Sequence, residues 1–344
     1  MKYPIEQIMY GSFIKYERMA QLTQESFGKN PFCCNATNLH VYIDMNSLIK
    51  TLYMSNDLTI EDYTVITSSI INLCAHIREF YRRIGVKTKI IIIYSENTPL
   101  AARQFYTNYN QYNQNNYNMK FIHTVIEPNI ELLNLLCKYL PDIHFIKDNT
   151  ADTSTIIYRL ISMNCNQAPS LIYSKDTMVF QIVTHFNNAI IFRPKKNSKD
   201  GDISFYADNN NAIAAYKYAT GRKIDSSPFS QSLLSLLMSI SGVKSRSITT
   251  QRTITQAEKL IKDYINCNIL IDGYNSFDTV AQFCQAINGY EFASIFRAID
   301  VVFQNNLYLG IMDSDFDINL YDPEAVQQIN NEYFRNYPLD LNRL

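Results

Sequence analysis

The chain lacks most of the signatures by which a protein of 344 residues announces a function. It has no tryptophan, and its 31 basic residues nearly balance its 32 acidic ones, giving a formal net charge of −1. No global field would therefore draw in a polyanion, and a nucleic-acid binder would need its positive charge concentrated locally. The seven cysteines form no CxxC or other zinc spacing, and an odd, scattered set points to reduced thiols in a cytosolic compartment. No run of about 18 uncharged apolar residues is present, so no membrane span is expected. The first 30 residues carry Lys15, Glu17, Arg18 and Glu25 and do not read as a signal peptide. No histidine belongs to a cluster, no Ser/His/Asp motif stands out, and no internal repeat is visible.

Hydrophobic residues make up 47% of the sequence and charged residues 18%, the balance of a globular protein with a sizeable core. Abundant Asn, Ile and Tyr suit an AT-rich coding genome. Apolar positions from Ile5 to Leu22 follow helical spacing. His40–Ile43 reads as a short buried strand, and residues 61–84 as a long amphipathic helix closed by Gly85. Ile90–Ile93 within Lys89–Tyr94 is a continuous apolar run, expected of a parallel strand covered on both faces. Further on, Leu132–Tyr139 (helix), Ile143–Ile146 (strand), Ser154–Met163 (helix), Leu171–Tyr173 (strand), Thr177–Phe186 (helix) and Ala189–Phe192 (strand) continue the alternation. That order predicts an α/β fold with a mostly parallel sheet flanked by helices. Helical patterns return at Ser230–Ile240, Thr255–Asn266 and Thr279–Ala286, and the polar stretch between Lys196 and Asp225 is the expected boundary. The organisation expected is an N-terminal helical segment (1–37), an α/β domain (38–200) and a mainly helical C-terminal subdomain (225–344).

Functional crevices in such sheets lie beyond the carboxyl ends of the strands. Asp44, Ser95-Glu96 and Asp176 each follow a predicted strand, and Asp152 stands at a helix start. Residues 100–120 differ in being Asn- and Tyr-rich; an extended helix, an arch and a loop all remain open for them. Basic groups gather at Arg82/Arg83 with Lys87/Lys89, along Arg193–Lys199, and at Lys244/Arg246/Arg252, each as readily a solvated face as a binding patch. Asp313-Ser-Asp315-Phe-Asp317 lacks the glycine and the bidentate glutamate of an EF-hand, and Ile269–Gly273 reads as a strand with an ordinary Asp-Gly turn.

Five segments in order, Val41–Asp44, Ile93–Asn97, Thr150–Thr153, Ser174–Met178 and Gly242–Arg246, carry a resemblance. At these residues the chain resembles the flap endonuclease and 5′–3′ exonuclease superfamily, closest in spacing to the phage RNase H-type 5′ nucleases. The resemblance spans roughly residues 38–265. It implies a PIN-like catalytic domain followed by a helix-hairpin-helix-like region at about 240–265. It also implies that Asp44, Asp152 and Asp176, with Glu96 after a one-residue shift, are the remnants of a Mg²⁺ or Mn²⁺ site. The family reaction is read as two-metal catalysis, with cations roughly 3.5–4 Å apart activating water and polarising the phosphate. Such a pair needs several hard oxygen ligands to offset its repulsion. Here Met178 offers only a thioether, Val243 offers no ligand atom, and Arg246 adds positive charge at a ligand position. The three remaining acids imply at most one weakly held Mg²⁺.

By the same resemblance, Arg103, Tyr106, Tyr109, Lys244, Arg246 and Arg252 are the candidate contacts to DNA or RNA as flap, fork or single strand, although Ser247–Gln256 lacks the family's Gly-rich turn. The expectation is a catalytically degenerate 5′-nuclease-like protein of viral origin, a pseudoenzyme that binds nucleic acid or scaffolds other viral proteins, inside the infected cell or the virion. The rivals are an active Mg²⁺-dependent 5′ nuclease and a purely structural virion protein.

Overall fold

A computed structural model describes residues 37–49, 64–83, 85–95, 122–140, 142–148, 151–164, 168–193, 205–222, 230–242, 252–266 and 321–344. Its centre is a six-stranded sheet in the order β3-β2-β1-β4-β5-β6. The strands are β1 (Asn38–Asp44), β2 (Lys87–Tyr94), β3 (Ile143–Lys147), β4 (Ser170–Tyr173), β5 (Ala189–Arg193) and β6 (Phe205–Ala207). The first five are parallel, and β6 runs antiparallel to β5. The α/β expectation of a mostly parallel sheet between helices therefore holds.

Period-2 alternation divides the strand side chains between two layers. Val41, Ile43, Ile90, Ile92, Leu171 and Tyr173 face one cluster, with α1 (Thr64–Arg83) and α2 (Glu127–Leu136). Tyr42, Ile91, Ile93, Ile172 and Ile191 face the other, with α3 (Thr153–Asn164), α4 (Phe180–His185), α5 (Ala212–Ala219), α6 (Leu234–Ser241) and α7 (Ile254–Asn266). This is why Ile90–Ile93 reads as one unbroken apolar run: neither face of β2 meets water. Polar residues in these layers are paired locally. Asn129 of α2 accepts from the Thr67 amide (2.9 Å) and hydroxyl (2.6 Å), tying α2 to α1.

The chain leaves β1 for β2 and β3 on one side, then returns to β4 and β5 on the other. The topological switch point thus lies between β1 and β4. Gly85 closes α1 at φ 79°, where glycine carries no steric cost, as its position after the periodic run predicts.

Three features differ from the sequence reading. The stretch expected to be a boundary contains β6 and α5, and Ala207, Ala212, Ile213 and Tyr216 are buried in the same cluster as the sheet. Residues of α6 and α7 share that cluster too, and a buried ion pair (Lys217 Nζ to Glu258 Oε1, 2.5 Å) fastens α5 to α7. The last helix, α8 (Pro323–Tyr333), joins the opposite layer. Val326, Ile329, Phe334 and Leu339 pack with α1, while Asn72 donates to the Pro338 carbonyl (3.2 Å) and accepts from the Asp340 amide (2.7 Å). The expected helices at 5–22 and Thr279–Ala286, the stretch 100–120 and the segments at Ile269–Gly273 and Asp313–Asp317 lie outside the described residues.

Phe334 is fully buried in this docked segment. Phe334→Ala is expected to lower unfolding free energy by about 3–5 kcal/mol through lost burial and the cavity left behind. Urea denaturation would measure it as a shift of the midpoint without a change of slope.

Candidate functional site

Asp44 ends β1 beside Ile93 of β2, at the carboxyl edge of the sheet, and Ser174, Lys175 and Asp176 leave β4 immediately alongside. Both segments therefore meet at the switch point. The Ser174 hydroxyl donates to Asp44 Oδ2 at 2.6 Å and accepts from the Asp176 amide at 3.0 Å, so one side chain links the two acids. The other oxygen of Asp44 accepts from the Ser47 amide (3.2 Å), capping the helical turn at 45–49. Ser47 Oγ in turn donates to the Asp44 carbonyl (3.0 Å) and accepts from the Lys175 amide (3.1 Å). Asp176 Oδ1 accepts from the Met178 amide at 3.2 Å, a local turn contact.

Asp152 opens α3 at the same edge. Its Oδ1 accepts from Thr155 N (2.9 Å), Thr155 Oγ1 (2.7 Å) and Ser154 Oγ (2.9 Å), the work of a helix N-cap. Ser95, just past β2, joins the three segments. Its amide donates to Asn46 Oδ1 (2.9 Å), its carbonyl accepts from Asn46 Nδ2 (2.7 Å), and its hydroxyl donates to the Ala151 carbonyl (2.5 Å).

Burial governs the electrostatics. Asp44, Asp152 and Asp176 are 1%, 1% and 0% exposed. Removal from water raises the Asp44 carboxyl from its ordinary value to about 6, and the nearby Asp176 charge pushes the same way. Hydrogen bonds from Ser174, Ser47 and Thr153 oppose that rise without cancelling it. The Thr153 contact also places the start of α3 against Asp44. The three acids therefore share one rim, as the sequence predicts, yet each carboxylate faces its own local donors.

A divalent cation needs those oxygens turned toward a common point. Among the described residues no group of three His, Cys, Asp or Glu side chains is placed to hold a metal ion. Met178, at a family ligand position, is 2% exposed and packs in the apolar cluster, with the Gln181 amide donating to its carbonyl (3.4 Å). The described donor set does not fit a pair of magnesium ions.

The remaining predicted residues divide simply. Arg252 is partly exposed just before α7, whereas Glu96, Arg103, Tyr106, Tyr109, Lys244 and Arg246 lie outside the described residues. Of the histidines expected in or beside core strands, His40 is in β1, His144 in β3 and His185 at the end of α4. Burial lowers His40 to about 3 and His144 to about 4, so both are neutral and structural.

Sequence reasoning missed Ser47, Thr153 and Arg193 as parts of this edge. The Arg193 guanidinium, at the end of β5, donates to the Lys175 carbonyl and lies 5.8 Å from the Phe180 ring centroid. A signal for Ser47 was present, since an Asp three residues ahead of a helical amide is a capping pattern. Arg193 carried only the generic signal of a basic run.

The fold is similar to that of the bacteriophage T5 flap endonuclease in complex with DNA and metal ions, at 10% identity and a TM-score of 0.49, covering 89% of this chain and 98% of that one. It is also similar to human GEN1 in complex with Holliday junction DNA (9%, TM-score 0.45, 86% and 67% covered) and to the catalytic core of Rad2 with a DNA substrate (12%, 0.40, 88% and 88%). The resemblance carried by the five segments and these structural likenesses point to the same fold. No family model matches the chain, and no curated protein matches its sequence. What the site does is argued below from the chain's own residues.

The raised Asp44 value has a definite sign. Its folded value is about 6 against an ordinary 3.8, so the stability it contributes is present below pH 4 and lost as pH rises through 6. Asp44→Asn, which keeps the shape and the cap, is expected to be more stable than the parent at pH 7.5 by roughly 3 kcal/mol. The two proteins should converge near pH 4. Paired urea melts at both pH values check this, and a parent more stable than the variant at pH 7.5 would contradict it.

Proposed function

We propose that this protein binds nucleic acid on a 5′-nuclease-like scaffold that no longer cuts by the two-metal route. One observation carries the reading. The carboxylates that a nuclease would turn toward cations are turned toward the protein instead, with Asp44 held by Ser174 and Ser47 and Asp152 capping α3. A carboxylate so engaged, and 1% exposed, must break its own hydrogen bonds before it can ligate a cation. Loss of a cation site leaves the apolar layers on both sides of the sheet untouched, so the fold survives the chemistry.

Binding is supported by the outer side of α7. Lys259 and Lys262 are exposed there and Arg252 is partly exposed just ahead of the helix, while Ile254, Ala257 and Ile261 face the core. These groups suit phosphate contacts that position a strand without reading its bases. In this reading the protein is viral and serves replication, transcription or virion assembly, with other viral proteins as partners, consistent with its Asn-, Ile- and Tyr-rich composition.

The test is cleavage of flap, forked and nicked duplexes with Mg²⁺ or Mn²⁺, with Asp176→Ala alongside. The expected result is no metal-dependent product from either protein, together with salt-sensitive retention of a forked duplex by the parent. Metal-dependent cutting that disappears in Asp176→Ala would establish the enzyme instead. Absence of any retention at low salt would leave a scaffold.

A further inference from the structure

The switch-point edge has its charges arranged in an order opposite to that of a metal site. Its acids point inward: Ser174 and Asp176 are 0% exposed and Asp44 is 1% exposed. Its cations stand outside them. Lys175, between Ser174 and Asp176, is partly exposed, and so is Arg193 at the end of β5. The two are fixed to each other, because the Arg193 guanidinium donates to the Lys175 carbonyl. Each is also anchored from behind. The Lys175 amide donates to Ser47 Oγ (3.1 Å), and the Phe180 ring lies 5.8 Å from the Arg193 guanidinium carbon. A guanidinium and an ammonium held side by side at the mouth of an α/β crevice suit a phosphate group: the first offers a planar fork of donors, the second a compact point charge.

We infer that Lys175 and Arg193 form a metal-independent contact for a phosphodiester of a nucleic-acid strand, the protein's own cations standing where a nuclease fold would place a metal. This rests on the nucleic-acid-binding reading above and assigns the ligand of the switch-point crevice. The buried acids beneath the pair weaken its attraction for an anion. Removing one of those charges therefore strengthens binding, whereas in a metal-mediated site the same change would destroy it.

The experiment is a fluorescence-anisotropy titration of a labelled single-stranded DNA and a labelled forked duplex, in EDTA and in Mg²⁺, across a salt series. The proteins are the parent, Lys175→Gln, Arg193→Gln, Arg193→Lys and Asp44→Asn. Lys175→Gln leaves the carbonyl that receives Arg193 in place, so it reports on the contact even if Arg193→Gln folds poorly. The parent is expected to bind equally in EDTA and in Mg²⁺. Each Gln variant should bind about tenfold more weakly, the equivalent of 1.4 kcal/mol. Its salt slope should be shallower by about 0.7 on single strands and 0.9 on duplex for the phosphate contact removed. Arg193→Lys should keep the parent slope, and Asp44→Asn should bind more tightly. Parent-like affinity and slope in both Lys175→Gln and Arg193→Gln would overturn the inference while leaving the binding reading intact, as would binding that requires Mg²⁺ or is lost in Asp44→Asn. A parent that binds neither DNA in either condition would defeat the binding reading itself and the inference with it.

Discussion

A single hydroxyl joins the two halves of the sheet at the place where the chain reverses direction. Ser174 Oγ donates to Asp44 and receives the Asp176 amide, linking positions 130 residues apart. Around it, Ser47 binds the Lys175 amide, Thr153 reaches Asp44 from α3, and Ser95 secures the ends of β1 and β2 to the entry of α3. An ionised carboxylate at such depth is tolerated only when donors surround it. Here the donors are hydroxyls and amides from four separate segments. They close the sheet edge with hydrogen bonds, the role that cations and their waters fill in a metal-dependent nuclease.

That closure has a chemical consequence. Two-metal hydrolysis depends on carboxylates whose oxygens remain open to the solvent crevice. When those oxygens turn inward, the outermost charges at the crevice belong to Lys175 and Arg193, and the surface offered to a ligand changes sign. The apolar layers are indifferent to this exchange. β2 is buried on both faces and α3 packs on the sheet whether or not Asp152 ligates anything, so architecture and activity are separable on physical grounds.

Much of the fold was legible in the sequence because local pattern and tertiary environment agree. The Ile90–Ile93 run needs burial on both faces and receives it, and Gly85 ends α1 where the periodicity stops. The reading lost accuracy where local chemistry overrides pattern. α2 begins five residues before its expected start, with Pro128 fitting its first turn. α4 begins three residues late because the Asp176 turn takes up Thr177–Val179. β6 and α5 were hidden in a polar, Asn-rich stretch, being only three and eight residues long. At the site, the positions of the acids were legible but the direction of their oxygens was not. Asp152-Thr-Ser-Thr155 fits a helix cap as well as a ligand motif, and only the packing of α3 against β1 decides between them.

The most direct test of the claim that these carboxylates serve the protein and not a cation pair is a Mn²⁺ titration of the native protein followed by electron paramagnetic resonance. The account predicts no tightly bound manganese, with the free-ion signal rising almost in step with the metal added. Two ions taken up per chain at micromolar concentration, with the broadened spectrum of a spin-coupled pair, would contradict it.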